Sequence, residues 1–502
     1  MGLRGALAAV VVMAVVVLGA GPVGAQEGCG VPAAPGWTRV EAAVWRQLCA
    51  GHPADFNPQA RTVEENLDPH QPEGWDQTRV LSSAFVERLL NPPYASALDR
   101  HGIFLVGAWF PDVLDISEAT TSFPLRCQYC RIAGLDATEA VIDGTLDLRG
   151  SAVEGDLTLL AANIAGDLLV SDGAAVTGRL FADGLTVAGG VFLRDGSRFA
   201  DIRLPGAHIG GNLEVNGESV VSGTLAAEQA TVTGNMFLRD GSRFAGINLR
   251  GADIGGLIVL EGAVWEPGGA LDLSQARAGG VFTDEQAGSL PARLDLDGFT
   301  FPQWAGPDPG TLRRGWFTDI WLARMPEFRP GPYTHLADVM DAAGHPTIAD
   351  DLRYHRNTAQ RQLVPWTRPD RWGRQLHWLV LGYGLRPWRA LGWLAAVWLT
   401  GLLVFWLRPR LRPPRERVRS RPRRWLAYAA TLGRLRLAVR DGWSAGLAAL
   451  YSLDRLVPAV KLVSPDHIPD RTRPQHAWAV AEQLLGWLLT LFLVGWLGSL
   501  LV

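Results

Sequence analysis

The ten residues 191–200, VFLRDGSRFA, return as MFLRDGSRFA at 236–245, 45 positions further along the chain. The copy extends on both sides of that stretch. GRLFADGLTVAGG from Gly178 aligns at the same offset with GTLAAEQATVTGN from Gly223, and IRLPGAHIGG from Ile202 with INLRGADIGG from Ile247. One long unit thus covers 178–222 and recurs from 223. No other feature constrains the fold as much, because a repeat of this kind buries its apolar face only by stacking on its neighbours.

A shorter beat runs inside the long unit. A glycine followed by alternating apolar residues appears as GTLDL at Gly144, GDLTL at Gly155, GDLLV at Gly166, GRLF at Gly178, GVFL at Gly190, GNLEV at Gly211 and GTLA at Gly223. Alternation over four or five residues is a strand pattern, and the glycine marks the turn before it. No segment here repeats apolar residues with helical spacing. Two half-units of 11 or 12 residues make one coil, and the 45-residue unit is two coils copied together. The expected fold is mainly β, a β-solenoid over 103–301.

By pattern, the inward residues are Leu146, Leu148, Leu157, Leu159, Phe192, Ile202, Leu204, Ile209, Leu213, Val215, Phe237, Ile247, Leu249 and Ile254. At ~4.8 Å per strand, about nine coils make a rod on the order of 40 Å long. Such a rod needs a cap at each end. The GDLxL and LRGAxIGG steps over about 140–290 resemble bacterial pentapeptide-repeat-related proteins. That resemblance implies a right-handed, quadrilateral β-helix.

The two ends of the chain point to an envelope. Residues 1–25 hold one arginine, an apolar run, a Gly-Pro break and small residues, which is the order of a secretory signal peptide. Cys29 lacks the sequence context of a lipidation site. Residues 26–102 are expected to form an N-terminal helical cap, from GWTRVEAAVWRQLCAG and from DQTRVLSSAFVERLLN, with Asp76 as N-cap of the second helix. Residues 302–386 read as a helical hairpin and juxtamembrane segment. Two apolar runs, 390–407 and 484–502, are long enough to cross a bilayer core of about 30 Å. We place the transmembrane helices at 387–407 and 481–502.

Between these runs lie an Arg-rich loop at 408–424 and an amphipathic, membrane-surface region at 425–480. The positive-inside rule puts the Arg-rich loop in the cytoplasm and the solenoid outside. Topology alone accounts for the charge run, and a net charge of −3 suggests no nucleic-acid partner. The patterns PYTHLADVMDAAGHPTIADDLRYHR, GYGLRPWRAL, YSLDRLVPAVKL and GWLLTLFLVGWLG over 320–502 resemble a bacterial family of solenoid membrane proteins with a two-span tail. Some of its members carry the label membrane-associated oxidoreductase, a label that transfers no mechanism.

The four cysteines, Cys29, Cys49, Cys127 and Cys130, all follow the signal. An even number in an oxidising compartment suggests disulfides, Cys29 with Cys49 and Cys127 with Cys130. For CQYC the alternatives are unpaired core thiols or a redox dithiol, although a reactive pair belongs at a helix start beside a βαβ unit. No cofactor motif and no clustered metal ligands occur, so catalytic, cofactor-binding and metal residues are all read as none.

Arg194, Asp195, Arg198, Arg239, Asp240 and Arg243 recur with the coil and read as a surface-binding ladder. Asp-Gly is first of all a turn signal, and His208 is a lone corner histidine. GYG at 382–384 precedes the first span, whereas a potassium filter would precede the second. The reading that follows is a membrane-anchored envelope protein that displays its solenoid to an unknown protein or glycan partner. A glycan-active enzyme using Asp195 and Asp240, and a degenerate two-span channel, are the alternatives.

Overall fold

The structure, a computed structural model, describes residues 30–57, 67–285, 287–386, 388–406, 445–457 and 473–499. The expected signal peptide, Cys29, the Arg-rich loop 408–424 and much of 425–480 lie outside the described residues. Two units divide the chain, Met1–Pro332 and Tyr333–Val502.

The first unit is a parallel β-solenoid of about nine turns. Its strands build four parallel ladders. One runs through Leu125, Leu146, Leu168, Val191, Leu213 and Met236. The second passes through Arg131, Ala152, Ala175, Arg198, Val220 and Arg243. The third holds Leu135, Leu157, Leu180, Ile202, Leu225 and Ile247, and the fourth Val141, Asn163, Thr186, His208, Thr231 and Asp253.

Leu157, Leu168, Leu180, Val191, Ile202, Leu213 and Leu225 are completely buried. Each buried aliphatic of this size contributes about 1.5–3 kcal/mol, so the axial stack of Leu, Ile and Val is the main source of stability. The residues expected to face inward are buried, with two exceptions. Phe192 and Phe237 face outward, while their neighbours Val191, Leu193, Met236 and Leu238 are completely buried. VFL and MFL are apolar at every position, so alternation cannot choose the parity, and a one-residue slip exchanges the two faces.

Close contact between coils restricts the turns. A Cβ on Gly210 would lie 2.2 Å from the carbonyl oxygen of Ala188, one coil earlier. That is backbone against backbone, with no flexible side chain to give way.

The amino-terminal end is closed by α1 (Arg39–Cys49) and α2 (Ser83–Leu89). Glu41 serves both helices. Its carboxylate accepts from the Thr38 N–H at 2.8 Å in a capping box, and from the Ser82 hydroxyl at 2.6 Å, while Ser82 itself caps α2. In the same cap Trp37, Trp45, Phe85 and Tyr94 pack on one another edge to face or tilted. Asp76 is not the N-cap expected from the sequence. It accepts from the Thr78 N–H at 2.8 Å in a local turn, because residues 79–81 pair as an extended segment with Trp109, the Leu81 N–H donating to its carbonyl at 2.9 Å.

At the other end of the unit Trp304 bridges to Val281 and packs against Trp316, Phe317 and Trp321. The last coil thus ends in an aromatic cluster within 302–332.

In the second unit the helices are α3 (Pro330–Ala342), α4 (Pro346–Leu363), α5 (Pro369–Leu381), α6 (Trp388–Trp406), α7 (Ala445–Leu456) and α8 (Arg473–Ser499). The hairpin α3–α4 is tied by Arg353, paired to Asp338 at 3.1 Å and Asp341 at 2.6 Å. Among the described residues one helix, α6, is long and apolar enough to cross a membrane. Of the region 425–480 expected to lie on the membrane surface, 473–480 belong to α8, and α7 packs against α6 and α8 and buries Ala448, Tyr451, Ser452 and Leu456.

Two predictions follow from these contacts. Gly210→Ala should lower the chemical-denaturation midpoint, with a cost of about 1–3 kcal/mol for forcing atoms into a packed interior; an unchanged midpoint would contradict the close approach. Burial works against ionisation of Glu41, but hydrogen bonds from Ser82 and Thr38 outweigh it and hold the carboxyl below its ordinary value. Its stabilisation is therefore present above the ordinary carboxylate range and is lost as the pH falls through the lowered value. Glu41→Gln should remove that acid step from a melting-temperature profile and cost about 0.5–2 kcal/mol at neutral pH, the scale of a lost helix cap.

Candidate functional site

The outward position of the first ladder carries a continuous row along the rod. In register it reads Phe104, Arg126, Asp147, Leu169, Phe192, Glu214, Phe237, Val259 and Phe282. Phe192, Phe237 and Phe282 fall on every second coil, roughly 10 Å apart at ~4.8 Å per coil. The 45-residue copy places the same aromatic at the same height in alternate turns.

Arginines lie on these rings. The Arg194 guanidinium stands 4.8 Å from the Phe192 centroid, that of Arg239 4.6 Å from Phe237, and that of Arg126 5.5 Å from Phe104. Each such contact is worth about 0.5–1 kcal/mol at an exposed site. Glu214, nearly buried between Phe192 and Phe237, accepts from Arg194 at 3.0 Å and from the Asn212 side-chain amide at 3.2 Å. The row is thus aromatic, acid, aromatic, with guanidinium groups alongside.

The structure divides the sequence-predicted ladder between two places. Arg194 with Asp195, and Arg239 with Asp240, occupy equivalent corners, each pair 3.3 Å apart. Asp195 and Gly196 take φ of 59° and 79°, and Asp240 and Gly241 55° and 77°, so each Asp-Gly pair is a left-handed turn that ends the strand. Arg198 and Arg243 lie beyond those turns, on the second ladder, in register through Val220. Only Arg194, Asp195, Arg239 and Asp240 therefore border the aromatic row.

Sequence reasoning missed the row itself because it assigned Phe192 and Phe237 to the core. The signal was present in Arg194 and Arg239, two residues after each ring. Side chains two apart on a strand share a face, and a partly exposed arginine at that spacing implies an outward phenylalanine.

The cysteines follow the coil register. Cys127 pairs with Leu105 in the first ladder and points inward, while Cys130 sits at the corner position that Ser151 holds one coil later. Both are buried, free thiols, so the expected bridge between them is not formed. Backbone bonds set their places instead: the Ser151 hydroxyl donates to the Cys127 carbonyl at 2.7 Å and accepts from the Cys130 N–H at 3.0 Å. Burial first, then the neighbouring Cys130 thiol and the Asp147 charge, push the Cys127 thiol well above its ordinary value. A buried thiol held in that form is a poor nucleophile. Cys49 closes α1 and is disulfide-bonded; Cys29, the partner expected from the sequence, lies outside the described residues.

In the second unit, Gly382 and Tyr383 have φ of 55° and 64° and end α5 in a left-handed turn. GYG is the link from α5 to α6. Comparison of the chain with known protein families, with curated proteins and with solved structures finds no match to any of them.

Iodoacetamide added to the native chain at neutral or mildly alkaline pH should leave Cys127 and Cys130 unmodified. Denaturation without reductant should expose both to alkylation, read by peptide mass spectrometry. A requirement for reductant would mean that the two sulfurs are bonded.

Proposed function

We propose that the chain is a membrane-anchored envelope protein whose solenoid lies outside the cytoplasm and works as a binding or scaffolding module. The observation that carries this reading is the outward row Phe192, Glu214, Phe237, Val259 and Phe282 with Arg194 and Arg239 stacked beside it. A line of aromatic faces at a fixed interval suits an extended partner laid along the rod, a glycan strand or an extended polypeptide. Both Asp195 and Asp240 are engaged by arginines and hold turns, which favours binding over a catalytic carboxylate pair.

The membrane part of the proposal rests on the second unit. α6 is long and apolar enough to span, and α6 and α8 expose Leu391, Trp393, Leu399, Leu403, Trp487 and Leu491. Ser452, Gln475 and Glu482 are turned into the bundle while these large apolar side chains are turned out of it, an arrangement suited to lipid. In this reading the rod is of the right-handed pentapeptide-repeat type, 481–502 is the second span, and the Arg-rich loop 408–424 keeps that loop in the cytoplasm.

Two measurements on intact cells test the proposal. With one epitope tag in the turn at 216–219 and another in 408–424, external protease should remove the first and spare the second; the reverse pattern would overturn the orientation. A photo-crosslinking residue at Phe237 should give a discrete adduct that is absent when it is placed at Val264, which is exposed on the second ladder. Replacing Phe192 and Phe282 with Ser should reduce that adduct several-fold, and equal crosslinking from both faces would overturn the assignment of the binding face.

A further inference from the structure

A buried polar node lies where α6, α7 and α8 meet in the second unit. Glu482 of α8 is completely buried, as is Ser452 of α7. The Ser452 Oγ lies 3.0 Å from the Trp398 carbonyl oxygen of α6 and in hydrogen-bond contact with Glu482 Oε1. Glu482 Oε2 is buried and has no hydrogen-bond partner among the described residues. Gly401 of α6 makes the meeting possible, because a Cβ there would fall 2.3 Å from both the Glu482 and the Ser452 oxygens.

Counting hydrogens decides the state of the acid. Ser452 has one hydroxyl hydrogen, the Trp398 carbonyl has none to give, and an ionised carboxylate is acceptor-only. With a single hydrogen between three oxygens, both contacts are served only by one hydrogen shared in a weak three-centre bond. A second hydrogen on Glu482 Oε1 satisfies both: Glu482 O–H donates to Ser452 Oγ, and the Ser452 O–H donates to the Trp398 carbonyl. The same hydrogen removes the charge from a buried site whose other oxygen is unpartnered, where an uncompensated carboxylate is costly.

We propose that Glu482 is the proton-binding site of this unit, carried as a neutral carboxylic acid that clamps α8 to α6 through Ser452. Release of the proton to water leaves a carboxylate. The Ser452 hydroxyl must then turn from Trp398 to Glu482, and the link to α6 is lost. The other charged and titratable residues on the packed elements are Arg389 at the start of α6, Tyr451, Asp454 and Arg455 on α7, and Arg473 and His476 on α8. Arg455 donates to the Tyr451 hydroxyl at 3.2 Å and lies over its ring. The contact between helices is thereby made dependent on one proton, a default expectation for an ionisable group inside a membrane bundle.

Infrared difference spectroscopy on the full chain in lipid nanodiscs tests this. The spectrum at neutral pH should contain a protonated-carboxyl C=O band that is lost in Glu482→Gln, a variant whose amide can still donate to Ser452. Ser452→Ala keeps the acid and removes its acceptor, so the band should persist and move to higher wavenumber. In the unsubstituted chain the band should disappear as the pH is raised, and a carboxylate band should replace it. A difference spectrum between the unsubstituted chain and Glu482→Gln that shows only carboxylate bands at neutral pH would overturn the proposal, and so would a band that Ser452→Ala leaves in place.

Discussion

Backbone hydrogen bonds between successive coils, such as those from the Leu168 N–H to the Gly190 carbonyl and from the Val191 N–H to the Asn212 carbonyl, hold the first unit in register. They fix which residue stands above which, and the side chains follow. Because each coil meets only its neighbours, a residue's environment is set by the positions about 22 residues before and after it. That constraint explains features that otherwise look unrelated: the glycines where two backbones meet, the buried serines at one corner, and a CQYC segment whose thiols occupy a leucine site and a serine site.

The same register separates the buried stack from the outward row. Val191 and Leu193 are completely buried in the axial stack, whereas the ring between them is half exposed. The exposed ion pairs of Arg194 and Arg239 are each worth about 0–1 kcal/mol, small beside the burial of one core aliphatic. The arginines that border the outward row can therefore change with little cost to the fold. Phenylalanine nevertheless recurs on that row at three alternate coils, which is why we propose it as the binding face.

The second unit inverts this distribution. The large apolar side chains that α6 and α8 expose are leucine, valine and tryptophan, and its interior holds Ser452, Glu482 and the Gln475 amide, which donates to the Val404 carbonyl at 3.2 Å. Gly401 and Gly486 admit this packing; a Cβ on Gly486 would lie 2.0 Å from the Leu456 carbonyl oxygen. If the unit lies in lipid, as proposed above, helices held this closely depend on hydrogen bonds between them, and the Ser452–Trp398 bond is the one we tie to the proton of Glu482.

The amino-acid sequence by itself determined the repeat, the coil length, the inward Leu, Ile and Val positions, the paired turns at Asp195 and Asp240, and the apolar length of α6. These are local or periodic properties, readable from a window of a dozen residues or from one copy laid over another. The parity of VFL and MFL was beyond it, because three consecutive apolar residues carry no alternation, and only the ladder to Leu213 and Ile258 turns Phe192 and Phe237 outward. Asp76 was misread because pairing of residues 79–81 with Trp109 is non-local. The state of Cys127 and Cys130, and the meeting of Trp398, Ser452 and Glu482, were decided by the tertiary structure alone, since the groups that set them lie one coil or several helical turns away in the chain and come together only when the elements pack.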